Sequence, residues 1–160
     1  MTANNVTRFL DSRKIPYQAF ELPAEKLGAI ETARLLNADP RQVFKTIVVL
    51  RSKPGKPILA VVPGDREVDL KKVAAAVNEK KVSLSTQAEA EKITGLQTGG
   101  ISPLALINKG FQVLLDSTAA NYSDIHISGG QRGLNIRLPV GALIELTRAR
   151  QADICTHIEG

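Results

Sequence analysis

The chain predicts a mixed α/β fold, in which a curled, largely antiparallel, barrel-like sheet carries helices packed on its outside. Two observations point there. Strand-length apolar runs are joined mostly by hairpin-like turns, and helices with 3.6-residue periodicity interrupt them singly. The regular strand–helix alternation of a doubly wound sheet is missing.

Taken in order, Val6, Phe9, Leu10 and Arg13 recur at three and four, which predicts an amphipathic helix ending before Pro16. Residues 15–22 alternate polar and apolar and read as a strand. Pro23 and Gly28 mark a loop, and residues 29–37 a short helix stopped by Asp39-Pro40. The β-branched run 43–50 reads as an interior strand. Arg51 to Pro57 is turn chemistry, and 58–62 returns as the second arm of a hairpin. Asp69 caps a helix with Leu70, Val73, Ala74 and Val77 on one stripe, followed by a short strand at 81–84. Thr86 and Glu89 have capping-box spacing, and that helix runs to Thr94 with Gly95 as its left-handed stop. Strands follow at 112–116, 125–128 and 134–138. Pro139 then opens a last helix through Thr147, and 152–155 adds a final strand. With no repeat, linker or low-complexity segment, residues 1–160 read as one domain.

Composition narrows the class. A hydrophobic fraction of 43% and a charged fraction of 23% are those of an ordinary globular domain. No apolar run approaches the ~20 residues of a membrane helix, and the N-terminus lacks a basic-then-apolar secretory pattern. The single cysteine, Cys155, excludes an internal disulfide and a multi-cysteine metal site. The expected compartment is the cytoplasm, the expected state a monomer, and no cofactor is expected. A net charge of +5 leans towards an anionic partner. Pairs such as Lys71-Lys72 and Lys80-Lys81 are either a solvated face or contacts to a phosphate backbone. Aromatic residues are too few for a base-stacking platform.

Familiar catalytic patterns are absent. There is no phosphate loop ending Gly-Lys-Ser/Thr, no dinucleotide fingerprint, no His-x-x-x-His, no Cys-x-x-Cys and no Gly-x-Ser-x-Gly elbow. His126 alternates with Ile125 and Ile127 on a strand and reads as structural, while His157 falls in the C-terminal tail. Cys155 reads as a small core residue, and Asp65, Glu67 and Asp69 as a solvated turn. No protein nucleophile emerges.

Three features remain. Thr98-Gly99-Gly100-Ile101-Ser102-Pro103 and Ser128-Gly129-Gly130-Gln131-Arg132-Gly133 are glycine-rich segments between apolar runs. Such segments bend sharply and bring main-chain N–H groups near a ligand, although each also fits a plain tight turn. Lys45 interrupts Val43-Phe44 and Thr46-Ile47. It is either an outward-facing strand lysine or a cation set in a site.

In this order and at these intervals, Phe44-Lys45-Thr46, Thr94-Gly95 and the two glycine segments resemble the bacterial YbaK proteins. So do Asp69-Leu70-Lys71-Lys72-Val73-Ala74 and Lys80-Lys81-Val82. These are free-standing deacylases of mischarged tRNA, related to the editing domain of prolyl-tRNA synthetase. The resemblance covers nearly the whole chain. It implies trans-editing release of cysteine from Cys-tRNA(Pro), by a hydrolase or a thiol-cyclising lyase route in which the substrate's own thiol attacks its ester. The implied catalytic residues are Lys45, which holds the terminal adenosine, and Gly100, Ile101 and Ser102, whose N–H groups face the oxyanion. Phe20, Thr46, Gly99, Pro103, Ser128, Gly129, Gly130 and Arg132 are implied to bind substrate. Lys71, Lys72, Lys80 and Lys81 are implied as secondary tRNA contacts. The implied partners are the aminoacylated 3′ end of tRNA and prolyl-tRNA synthetase, with no membrane.

The chain departs from that pattern. Phe20 and Leu96 stand in place of tyrosines, the 21–28 loop is short, and Asn135 stands where an aspartate can occur. These departures bear on amino-acid preference, so alanine, serine or 2-aminobutyrate on the tRNA is an alternative substrate. A non-catalytic module that binds tRNA or a synthetase is the alternative of another class.

Overall fold

The computed structural model describes residues 3–156, which carry five α-helices and eight strands. The helices are α1 (Asn5–Ser12), α2 (Ala29–Leu36), α3 (Leu70–Ala76), α4 (Gln87–Thr94) and α5 (Val140–Thr147). Local chemistry sets their ends. The Asn4 side chain accepts the Thr7 N–H at 2.9 Å while Thr7 Oγ1 accepts the Asn4 N–H, a reciprocal cap on α1. Asp69 accepts the N–H groups of Lys71 and Lys72 on α3. The expected Thr86–Glu89 box starts α4, and Gly95, at φ 72°, stops it.

The strands form two sheets. β1 (Gln18–Glu21), β7 (Leu134–Pro139) and β6 (Asp124–Ser128) make an antiparallel sheet in the order β1-β7-β6. β2 (Phe44–Arg51), β3 (Ile58–Pro63), β4 (Val82–Leu84), β5 (Gln112–Asp116) and β8 (Arg150–Ala152) make the other, in the order β4-β2-β3-β5-β8. Pairing is antiparallel for β2 with β3 and β4, and parallel for β3 with β5 and β5 with β8.

The mixed α/β class and the helices stand as expected, but a closed barrel is not found among the described residues. After β3 the chain crosses over through α3, β4 and α4 before β5 joins β3 in parallel, so β4 and β8 remain edges. The sheets meet at a parallel bridge between Val43 and His126.

Two strands are displaced from expectation. Ile15 donates its N–H to Leu10 O, closing α1, so β1 begins only at Gln18. The final strand lies at Arg150–Ala152. Beyond it the Ile154 N–H is taken by buried Asp116 Oδ1 at 3.0 Å, and Cys155 bridges Val68.

β3 is buried throughout and separates two apolar clusters. Leu59 and Val61 pack with Val48, Leu115, Ile127 and Ile136 on the face towards the three-stranded sheet. Ile58, Ala60 and Val62 pack with Val73, Val82, Leu114 and Ile154 on the face covered by α3. Each such Val, Leu or Ile side chain, fully buried, contributes about 1.5–3 kcal/mol. β4 pairs only with Val49, Leu50 and Arg51, which leaves the first half of β2 as an open edge.

Candidate substrate cleft

A cleft of about 270 Å³ occupies that open edge, where the two sheets part beyond the Val43–His126 bridge. Two residues further along these strands come Lys45 and Ser128, and both line it. Val48 O accepts the Ser85 N–H on the β4 side of β2. Alternate residues of a strand turn their main-chain groups to the same edge, so Thr46 presents its N–H and C=O to the cleft. Asn135 of β7 lines it beside Ser128, its register partner. Thr98, Gly99 and Ile101 form another wall, and Lys26, Leu27, Gly28 and Thr32 a further one.

The two glycine segments are built against each other. A Cβ on Gly100 would lie 2.8 Å from Gln131 Cα and 2.9 Å from Arg132 N, so only glycine permits this approach. In the first segment the left-handed residue is Gly99, at φ 94°, and in the second Gly130 and Gly133 are left-handed, at φ 92° and 86°. Arg132 Nε donates to Thr98 O at 2.7 Å, while Glu91 accepts the Thr98 N–H at 2.7 Å and clamps the loop from the α4 side. Asn4, the cap of α1, donates to Gly129 O at 2.9 Å. The Gly100 N–H is committed to Gln97 O at 2.8 Å; among the described residues the N–H groups of Ile101 and Ser102 have no protein acceptor. The Thr98 hydroxyl is enclosed without a protein partner.

Lys45 Nζ lies 3.2 Å from Glu67 Oε1 and 3.5 Å from Gly64 O. Its side chain is 22% exposed and that of Glu67 81%, so the carboxylate comes in from solvent. Of the segment expected to be a solvated turn only Glu67 is exposed, and it meets the lysine; Asp65 is half-buried with Oδ1 enclosed, and Asp69 is half-buried as the cap of α3. Behind the wall that Asn135 forms, buried His126 contacts Asn135 through Nδ1 at 2.9 Å from Oδ1. Burial lowers the His126 pKa, against the opposing pull of the Asn135 hydrogen bond. Cys155 is buried, and burial together with the Asp116 carboxylate pushes its thiol up to about 11. Asp116 and Cys155 form a cluster with Asp153, but the Asp116 oxygens are already engaged by Ile154 and Thr118. His157 lies outside the described residues.

Of the residues singled out from sequence, Lys45, Thr46, Gly99, Ile101 and Ser128 line one cleft. Gly100, Gly129 and Gly130 stand behind it, in the packing that shapes the two loops. Ser102 is fully buried and caps the turn Pro103–Leu106 through its hydroxyl, with Pro103 buried beside it. Arg132 acts on the cleft through Thr98. Phe20 sits on β1 opposite Asn135, its ring 5.6 Å from that of His126. Sequence reading passed over Lys26, Thr32 and Thr98 as lining residues. A hydroxyl next to a double glycine was the available signal for Thr98, and nothing local marks the other two.

Residues 24–146 match the family model described as the aminoacyl-tRNA editing domain. The candidate Cys-tRNA(Pro)/Cys-tRNA(Cys) deacylase EbsC of Enterococcus faecalis is 37% identical over 154 residues, covering 95% of this chain and 93% of that protein. A proline–tRNA ligase of Corynebacterium efficiens is 30% identical over 150 residues, covering 86% of this chain but 25% of the ligase. Among solved structures, a candidate trans-editing enzyme for prolyl-tRNA synthetase superposes with a TM-score of 0.81 at 26% identity. It covers 98% of this chain and all of that one.

Proposed function

Since the chain belongs to the aminoacyl-tRNA editing domain family, we propose that it is a trans-editing deacylase that releases cysteine from mischarged Cys-tRNA(Pro). The carrying observation is a cleft walled by a glycine loop and an open strand edge, with Lys45 and Lys26 lining it and no activated nucleophile. Among the described residues the imidazole is that of His126, already bonded to Asn135, so Ser128 has no base. Cys155 is buried and held protonated.

Such a cleft suits a reaction whose nucleophile arrives with the substrate. The cysteinyl thiol sulfur attacks the ester carbonyl, a C–S bond forms and the C–O bond to the ribose breaks. The ribose oxygen leaves as the tRNA hydroxyl, taking up the thiol proton. The protein's task is to hold the aminoacyl group in the attacking pose, where proximity supplies much of the acceleration. Lys45 holds the terminal adenosine. The Thr46 main chain and Ser128 flank the aminoacyl group, and the free N–H of Ile101, the one of that loop's unbonded pair whose residue lines the cleft, serves the oxyanion. Gly100 supports that geometry from behind, since its own N–H is already taken. The 3′ end of tRNA is the direct partner and prolyl-tRNA synthetase the candidate source of the mischarged substrate.

The test is deacylation of Cys-, Ala- and Ser-charged tRNA(Pro). The expected result is clearance of cysteine with serine spared, and a loss of roughly a hundredfold in Lys45→Ala. The Glu67 carboxylate of the Lys45 pair stands in solvent, so loss of the pair should change stability by less than about 1 kcal/mol. Clearance of alanine or serine would reassign the amino acid. Clearance of none would leave a binding module.

A further inference from the structure

Three loops converge at the end of the five-stranded sheet that lies away from the cleft: residues 51–57, 78–82 and 107–112. Arg51 staples them together. Its Nε donates to Lys56 O at 2.8 Å, one terminal nitrogen meets Glu79 Oε2 at 2.5 Å, and the other meets Gln112 Oε1. Around this staple Lys53, Lys56, Lys80, Lys81 and Lys109 are all exposed. Among the described residues none of the five has an ion-pair partner. Glu79 is the one carboxylate in these loops; it is buried, and Arg51 neutralises it. The chain carries 21 Lys and Arg against 16 Asp and Glu, so the 16 cations outside this set balance the carboxylates. The five lysines of this patch thus carry a formal charge equal to the net +5 of the whole chain. A hollow of about 430 Å³ opens within it, lined by Ser52, Lys53, Asn78 and Lys80 together with Ala74 and Ala75 of α3.

The structure also regroups the lysines. Lys71 and Lys72 stand at the opposite end of α3, where Lys72 Nζ is held by Asp153 and by Cys155 O at 2.9 Å. Lys80 and Lys81 instead face the β2–β3 turn, since Arg51 pairs with Val82.

We propose that this patch is a phosphate-binding surface for the helical stem of the tRNA whose 3′ end enters the cleft, a proposal that rests on the deacylase reading. Lys45 and Arg51 lie on one strand six residues apart, so cleft and patch are separated by about 20 Å. The unpaired 3′ end bridges that interval, and the duplex beyond it meets the lysines. Duplex backbone presents about one charge per 1.7 Å of axis, which suits a compact set of unpaired ammonium groups. The aromatic residue in these loops, Phe111, lies under Lys56 Nζ, 5.2 Å from it, which argues for contacts to phosphate rather than stacking on bases.

Lys53→Ala/Lys80→Ala/Lys81→Ala tests this, with Lys14→Ala/Lys92→Ala as the charge control. Both sets are exposed, so folding should be kept. Two measurements are made across a salt series: KM and kcat on Cys-tRNA(Pro), and Kd for uncharged tRNA by fluorescence anisotropy. The patch variant should raise both KM and Kd about tenfold with kcat within twofold, and lower the slope of log Kd against log salt by about 2. The control should change that slope by less than about 0.5. An unchanged Kd and slope in the patch variant would overturn the proposal and pass the surface to an acidic protein partner. So would an equal loss in the control. Because binding of uncharged tRNA needs no chemistry, a wild type that clears no charged tRNA would sink the deacylase reading while the anisotropy still decides the patch.

Discussion

At the scale of single residues, the telling pair is Lys45 and Glu67. In the free protein the ammonium group is partly screened by a carboxylate that comes in from solvent. A tRNA phosphate or ribose approaching Lys45 has to displace Glu67 and meets its charge as repulsion. Glu67→Gln removes that competition, and a pair whose carboxylate stands in solvent is worth about 0–1 kcal/mol. KM for charged tRNA should therefore fall about two- to fivefold, with kcat within twofold. A higher KM with lower kcat in steady-state assays would show instead that the carboxylate orients the lysine. Lys45 was legible in the sequence because a cation inside a β-branched run calls for an explanation. Its partner was not, because Glu67 is brought near only by the β2–β3 hairpin and the turn that follows it.

At the scale of elements, the cleft depends on two loops held back to back. Gly100 is the contact point, and the groups a Cβ would strike are backbone atoms of Gln131 and Arg132 that cannot rotate away. Gly100→Ala should therefore cost about 1–3 kcal/mol and lower turnover together. A urea midpoint equal to wild type would remove the contact from the account. The elements themselves were largely legible. Caps at Asp69 and Thr86, the stop at Gly95 and the hairpin of β2 with β3 are local signals, and local hydrogen bonds realise each of them. Closure of the sheet was not legible, because no local pattern shows that β5 joins β3 in parallel after a crossover of nearly fifty residues. That single non-local pairing leaves two sheets in place of one barrel, and with it the open edge of β2 where the cleft lies.

At the scale of the molecule, two buried polar groups tie distant segments together and make stability depend on pH. Asp116 binds the C-terminal segment through the Ile154 N–H and its own turn through Thr118. Burial raises its pKa, but these hydrogen bonds outweigh that and hold it below the ordinary 3.8. His126, at the bridge between the sheets, is held below its ordinary 6.5, chiefly by burial. Asn135 contacts its ring, Arg137 opposes its protonation and Asp124 favours it. Both shifts have the same sign: the unfolded chain binds the proton more readily than the folded one, so stability rises with pH. The His126 contribution is fully present above 6.5 and is lost as pH falls through its lowered folded value. That of Asp116 is present above 3.8 and is lost at stronger acid. Urea midpoints measured from pH 8 to pH 3 should accordingly fall in two stages. His126→Phe, an apolar ring that keeps the contact with Phe20, should flatten the upper stage and leave the lower one. If the upper stage persists in that variant, the bridge between the two sheets is not its source.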